Sequence, residues 1–153
     1  MYETQIDALY LWVGLSAVSV TVLGVVAALP ATAPPDATAA AATIDEVATS
    51  PPGSVERRRL IADEWTLDSG ALRLRNGGGT AQARLTQDAV PADTDGLRAV
   101  LDGTEPASVY DSPAAFRTAL DRVRAENGTW WPTPERLTVR HVAWGGVDVT
   151  LVG

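Results

Sequence analysis

The stretch Leu137–Val152, LTVRHVAWGGVDVTLV, reads as a β-hairpin. Apolar and polar residues alternate on both sides of Gly145-Gly146, the pattern of two half-buried strands joined by a tight turn. A two-residue turn at those glycines sets Trp144 opposite Val147, Val142 opposite Val149, and Arg140 opposite Leu151. That face is largely apolar and predicts a contact with helices. The other face carries His141, Thr150 and Asp148, with His141 beside Thr150 and diagonal to Asp148.

Upstream of the hairpin the period changes. Ser112 is an N-cap candidate and Pro113 suits the first helical position. Phe116, Ala119, Leu120 and Val123 then follow the i, i+3, i+4, i+7 rule of an amphipathic helix. Arg117–Asp121 and Arg122–Glu126 are spaced for ion pairs on its wet side, and Asn127-Gly128 stops it. Ala92–Asp102 reads as a shorter helix, capped by Thr94 and followed by Gly103, with Leu97, Val100 and Leu101 on its apolar edge. Ala71–Arg75 alternates, Asn76–Gly79 turns and Ala81–Thr86 returns, which predicts a second hairpin. Val55–Leu67 is weakly patterned and holds at least one strand. Residues 55–153 are thus expected to form an α+β domain, a small antiparallel sheet with one or two packed helices.

Arg73, Arg75 and Arg84 fall on the outside of the second hairpin. They are candidates for contact with an acidic partner, although an exposed face paired with local carboxylates is the plainer reading. Trp130-Trp131 either caps the core or forms a contact surface; capping is the plainer reading. Asn127-Gly128-Thr129 is a possible glycosylation sequon at Asn127, but helix termination already accounts for Asn-Gly.

The amino-terminal part obeys a different logic. Ala8–Leu29, ALYLWVGLSAVSVTVLGVVAAL, is 22 residues without a charge, bounded by Asp7 and Pro30. A bilayer core needs roughly 20 apolar residues as a helix, so this run is expected to span a membrane once, with 1–7 as a short tail. A signal peptide is the first rival, since Ala31-Thr32-Ala33 resembles a cleavage site. The absence of basic residues before the run, its length, and Pro34 after the site count against it. A buried core helix is the second rival, and its lack of charge over this length counts against that. Gly14, Ala17, Thr21, Gly24 and Ala28 share one helical stripe of small residues, a face suited to packing on another membrane helix. Charge near the ends hardly orients the segment; composition favours the domain outside the cytoplasm. Residues 30–54, rich in Pro and Ala, are expected to be a stalk containing a helix from about Ala37 to Ala48 with Ala40, Ile44 and Val47 on its apolar side.

Composition excludes several classes. All 12 basic residues are arginine, the net charge is −7, and there is no cysteine. Disulfides and thiolate metal sites are excluded, and an acidic surface argues against nucleic acid as a partner. An acidic, lysine-free chain suits molar salt, where the Debye length shrinks to about 3 Å; GC-rich codon usage yields the same arginine bias. His141 is the only histidine, and no nucleophile motif accompanies it. Zinc needs three protein ligands, and Asn76–Gly79 lacks the Lys-Ser/Thr of a phosphate loop. No catalytic residue, cofactor or metal is expected.

Three stretches carry a resemblance: DALYLWVGLSAVSVTVLGV, LPATAPPDATAAAATIDEVATSP, and SPAAFRTALDRVRAENGTWWPTPERLTVRHVAWGGVDVTLVG. Together they resemble an uncharacterised family of haloarchaeal single-pass membrane proteins over essentially the whole chain. The resemblance implies genes beside a secretion-type ATPase and its membrane partner, of the type IV pilus and tight-adherence kind. It therefore implies a structural or accessory role in a pilus-like or secretion-like assembly, with a tethered ligand-binding or sensing domain as the alternative. The chain departs from prepilins in having no basic leader before the apolar run, so an uncleaved accessory component is expected.

Overall fold

A computed structural model describes Trp12, Val13, Leu15 and Ser16 and residues 32–68, 70–126 and 128–153. The chain divides into two units, Met1–Ala31 and Thr32–Gly153. In the first, the four described residues are helical, and the Ser16 hydroxyl donates to the Trp12 carbonyl one turn back at 2.8 Å. Trp12, Val13 and Leu15 are exposed. The rest of Ala8–Leu29 lies outside the described residues, and among those described no helix is long and apolar enough to cross a membrane.

Among the described residues the second unit holds two four-stranded sheets and four helices. In one sheet the order is β1 (Val55–Arg58), β7 (Leu137–Trp144), β8 (Val147–Val152), β5 (Ala89–Pro91); in the other it is β4 (Gly79–Arg84), β3 (Ala71–Asn76), β2 (Glu64–Asp68), β6 (Trp131–Pro132). Every pair is antiparallel except β5 with β8. The helices are α1 (Ala37–Thr49), α2 (Asp95–Leu101), α3 (Pro106–Val109) and α4 (Pro113–Ala125). The fold is α+β as expected, but the single small sheet becomes two, and one of them is mixed. The strands β5 and β6 are too short to show a period of two in sequence.

The β7–β8 hairpin has the expected register, Trp144 with Val147, Val142 with Val149, and Arg140 with Leu151. Gly145 and Gly146 both have positive φ, 55° and 80°, which their missing Cβ allows. One face packs Val142, Val147, Val149 and Leu151 against Leu97, Val100 and Leu101 of α2 and Phe116, Leu120 and Val123 of α4. The other face was expected to be polar. Only part of it is, because Leu137, Val139 and Val152 enter a second core with α1 and the β2–β3 strands. The hairpin is a wall with a core on each side. Fully burying an aliphatic or aromatic side chain contributes roughly 1.5–3 kcal/mol, so this central position concentrates stability.

The sequence placed α1 in a stalk ending before Val55. Instead the division falls before Thr32, and α1 belongs to the folded unit. It starts at Asp36, whose carboxylate accepts from the Ala39 amide at 2.9 Å. Ala37, Ala40, Ile44 and Val47 are buried against both sheets. Alanine on the buried side lets the helix approach two sheets at once, and the same alanine disguises the burial in sequence.

The helices α2 and α4 begin as expected, Thr94 accepting from the Leu97 amide and Ser112 from the Ala115 amide. The ion pairs differ. Arg124 bonds Asp121 at 3.1 Å and Asp88 at 2.6 Å, while Arg117 and Arg122 form no ion pair among the described residues. Arg140 faces the helices, buried, and its guanidinium donates to the Val100 carbonyl in the last turn of α2 and to the Thr104 carbonyl past its end. A cation suits that pole of the helix dipole. Gly96 of α2 leaves room for Tyr110, which stacks on Phe116 at 5.2 Å. Burial pushes the Tyr110 phenol above its ordinary value; the hydrogen bond to Thr94 acts the other way.

Candidate functional site

Trp65 and Trp131 face each other in the β2–β6 register, with ring centroids 5.2 Å apart and planes tilted by 41°. The Trp131 indole N–H donates to Asp93 Oδ1 at 3.1 Å, which fixes the ring. This pair walls a cleft of about 500 Å³ with Pro91 at the end of β5, Ala92 after it, Leu101 of α2, and Pro132 and Pro134. That volume falls in the range of small-ligand sites, roughly 300–1,000 Å³.

Charges of both signs rim the cleft. Arg98 donates through Nε to the Ala92 carbonyl at 3.1 Å and lies 3.9 Å from Asp93. Arg136 and Asp102 are exposed, and neither has a hydrogen-bonding or ion-pair partner for its side chain among the described residues. An aromatic wall with opposed charges suits a ligand that is apolar on one face and hydrogen-bonding at its edge. Nothing in the lining pairs a nucleophile with a base. The cleft was missed in sequence because its two tryptophans are far apart in the chain and each sits in a strand with weak or no pattern.

His141 is the single histidine of the chain. Its Nε2 lies 2.9 Å from Asp148 Oδ1 and its Nδ1 lies 2.6 Å from the Ser50 carbonyl. Both ring nitrogens lie against acceptors of the domain itself, which gives the ring a structural role between two elements. The ring is buried and joins the loop after α1 to β7. The backbone repeats the link, with the Gly53 amide donating to the His141 carbonyl at 2.8 Å and the His141 amide to that of Ser54 at 3.0 Å. Among the described residues no group of three or more His, Asp or Glu is placed to hold a metal ion.

Arg73, Arg75 and Arg84 do share the outer face of β3–β4. Two of them are engaged within the domain. Arg73 Nε donates to Gln82 Oε1 at 3.1 Å; Arg75 pairs with Glu64 and lies over the Trp130 ring, 4.6 Å from its centroid. Arg84 is exposed at the end of β4. The adjacent tryptophans part company: Trp131 joins Trp65, whereas Trp130 lies under Arg75. The stripe Gly14, Ala17, Thr21, Gly24 and Ala28 and the sequon residue Asn127 lie outside the described residues.

A family model described as a family of unknown function, DUF7283, matches residues 3–142. No curated protein and no solved structure matches the chain.

Proposed function

The chain belongs to this family of unknown function, and from that premise we propose that it is a membrane-anchored, non-catalytic subunit of a pilus-like or secretion-like assembly. Its folded domain stands outside the cytoplasm, and its apolar segment contacts other membrane subunits through Gly14, Ala17, Thr21, Gly24 and Ala28. The observation that carries the anchor is the charge-free run Ala8–Leu29. Support comes from Trp12, Val13 and Leu15, which are helical and exposed as lipid-facing residues are. The engagement of both His141 nitrogens supports a non-catalytic role. The assembly itself rests on the resemblance described above, and the acidic, lysine-free composition supports a high-salt, haloarchaeal origin.

The test is purification of the full chain from detergent-solubilised cells. Co-purification of a secretion ATPase's membrane partner is the expected result, and a monodisperse, partnerless monomer overturns the assembly role. Protease treatment of intact cells is expected to remove the domain; its survival places it in the cytoplasm.

A second reading, a tethered ligand-binding domain, is favoured by the Trp65–Trp131 cleft. Its test is tryptophan fluorescence of the full chain against a panel of small polar ligands. A saturable change that Trp131→Ala removes supports it, and a flat response across the panel opposes it.

A further inference from the structure

The walls of the Trp65–Trp131 cleft are set before anything enters it. Trp65 is 4 % exposed and Trp131 is half-buried, so an occupant meets Trp131 with Trp65 packed against it. The hydrogen bond from Trp131 Nε1 to Asp93 holds the ring from its edge. The neighbouring wall is sheet, because Thr138 and Gly153 exchange backbone hydrogen bonds at 2.7 and 3.0 Å and extend the β7–β8 ladder by one pair. A Cβ on Gly153 would lie 2.8 Å from Leu101 Cδ2, so the missing side chain lets α2 close on this wall. Three prolines complete the apolar lining, and their rings keep its backbone stiff. A ligand entering such a site has little of it to order.

The charged side chains of the lining are Arg98, Arg136, Asp93 and Asp102, and their formal charges cancel. Asp93 Oδ1 already accepts from Trp131 and lies 3.9 Å from Arg98. Arg136 and Asp102 are left over. Each is exposed, and neither pairs with the other or with any other described residue. Thr138 adds a hydroxyl that has no partner among the described residues.

This balance sorts ligand classes. A phosphate or a polycarboxylate meets two carboxylates, and an amine meets two guanidiniums. A hydrocarbon strips water from Arg136 and Asp102 and gives them no hydrogen bond in return. A neutral molecule with a C–H face and a hydroxyl edge meets none of these penalties. Its weakly positive hydrogens suit the negative face of an indole. Each of its hydroxyls both donates and accepts, whereas a guanidinium only donates and a carboxylate only accepts.

We propose that the cleft binds a neutral saccharide. One pyranose ring lies with its C–H face on Trp131, and its hydroxyls accept from Arg136 and donate to Asp102. This rests on the reading of the folded unit as a ligand-binding domain and gives that reading its ligand class.

The full chain, purified in a detergent without a sugar headgroup, is titrated with methyl glucoside, methyl mannoside, N-acetylglucosamine, maltose and cellobiose while tryptophan emission is followed. A saturable change with at least one of them is expected, and saturation-transfer NMR is expected to mark the protons of one sugar face above those of the other. Arg136→Ala and Asp102→Asn remove no bond within the domain, so they test binding apart from folding. Each is expected to weaken binding about tenfold, the loss of one charge-assisted hydrogen bond. Because the ligand is neutral, affinity is expected to hold between about 0.1 and 1 M salt. Phenylalanine, citrate, choline and inorganic phosphate serve as charged controls. A saturable response to one of these that Trp131→Ala removes, with none to any sugar, overturns the saccharide and spares the ligand-binding reading. A flat response to sugars and controls alike overturns both. Sugar binding that both rim variants leave unchanged overturns the cleft as its site.

Discussion

His141 and Asp148 meet across the β7–β8 ladder, Nε2 to Oδ1 at 2.9 Å, while the same ring reaches back 2.6 Å to the carbonyl of Ser50. The ring is buried and the carboxylate is exposed, so the two ends of the interaction differ in weight. His141→Leu leaves the Ser50 carbonyl without its partner and is expected to cost about 1–3 kcal/mol. Asp148→Asn is expected to cost under about 1 kcal/mol, as exposed pairs do. Urea unfolding of the two variants checks the order; equal losses would contradict a structural role centred on the buried side.

The place of α1 in the core is tested by Ile44→Ala. Ile44 is fully buried among Leu72, Leu74, Leu137 and Val139, and its truncation is expected to cost about 2–5 kcal/mol. Thr49→Ala, at an exposed position of the same helix, is expected to stay within about 0.5 kcal/mol. A stalk helix would show no such contrast in denaturant midpoint.

Gly145 joins a positive φ of 55° to a site where a Cβ would strike the Pro113 ring. Gly145→Ala strains the turn and pushes on the first residue of α4. The expected loss is about 2 kcal/mol or more, combining backbone strain with overpacking. Gly146→Ala meets no neighbour and should cost less, which thermal unfolding of the pair would show.

Tyr110 sets an alkaline limit. Its folded-state value is raised by burial, so the unfolded phenol ionises first as pH climbs past about 10. The contribution is fully present below the unfolded value and is lost as pH rises through the folded one. Unfolding free energy should therefore fall as pH rises above about 10 in the parent chain, and Tyr110→Phe should reduce that fall. Urea titrations at stepped pH, with phenolate absorbance followed in parallel, measure both. A parent and variant with the same pH profile would show that Tyr110 is not the cause.

Much of the fold is legible where local chemistry decides it. Ser112, Thr94 and the Gly145-Gly146 pair act within a few residues of themselves, and the elements they start or turn appear where the sequence places them. The strands β5 and β6 are defined only by their partners β8 and β2, which no local pattern encodes. The burial of α1 was hidden by its alanines, which look like a spacer until two sheets close around them. The cleft was invisible for the same reason, since Trp65 and Trp131 become neighbours only through a pairing made late in the chain. The arginine face was legible, but its internal bonds to Gln82, Glu64 and Trp130 were not.

The hairpin that separates the two cores also governs when the domain can form. Leu151 completes one core and Val152 the other, and α1 lies at the opposite end of the unit with Val139 and Val152 as neighbours. Neither core can close on a nascent chain whose last strand is still missing. Contacts of such long sequence separation make folding slow and late. In a domain built this way both cores close only once β8 has been made.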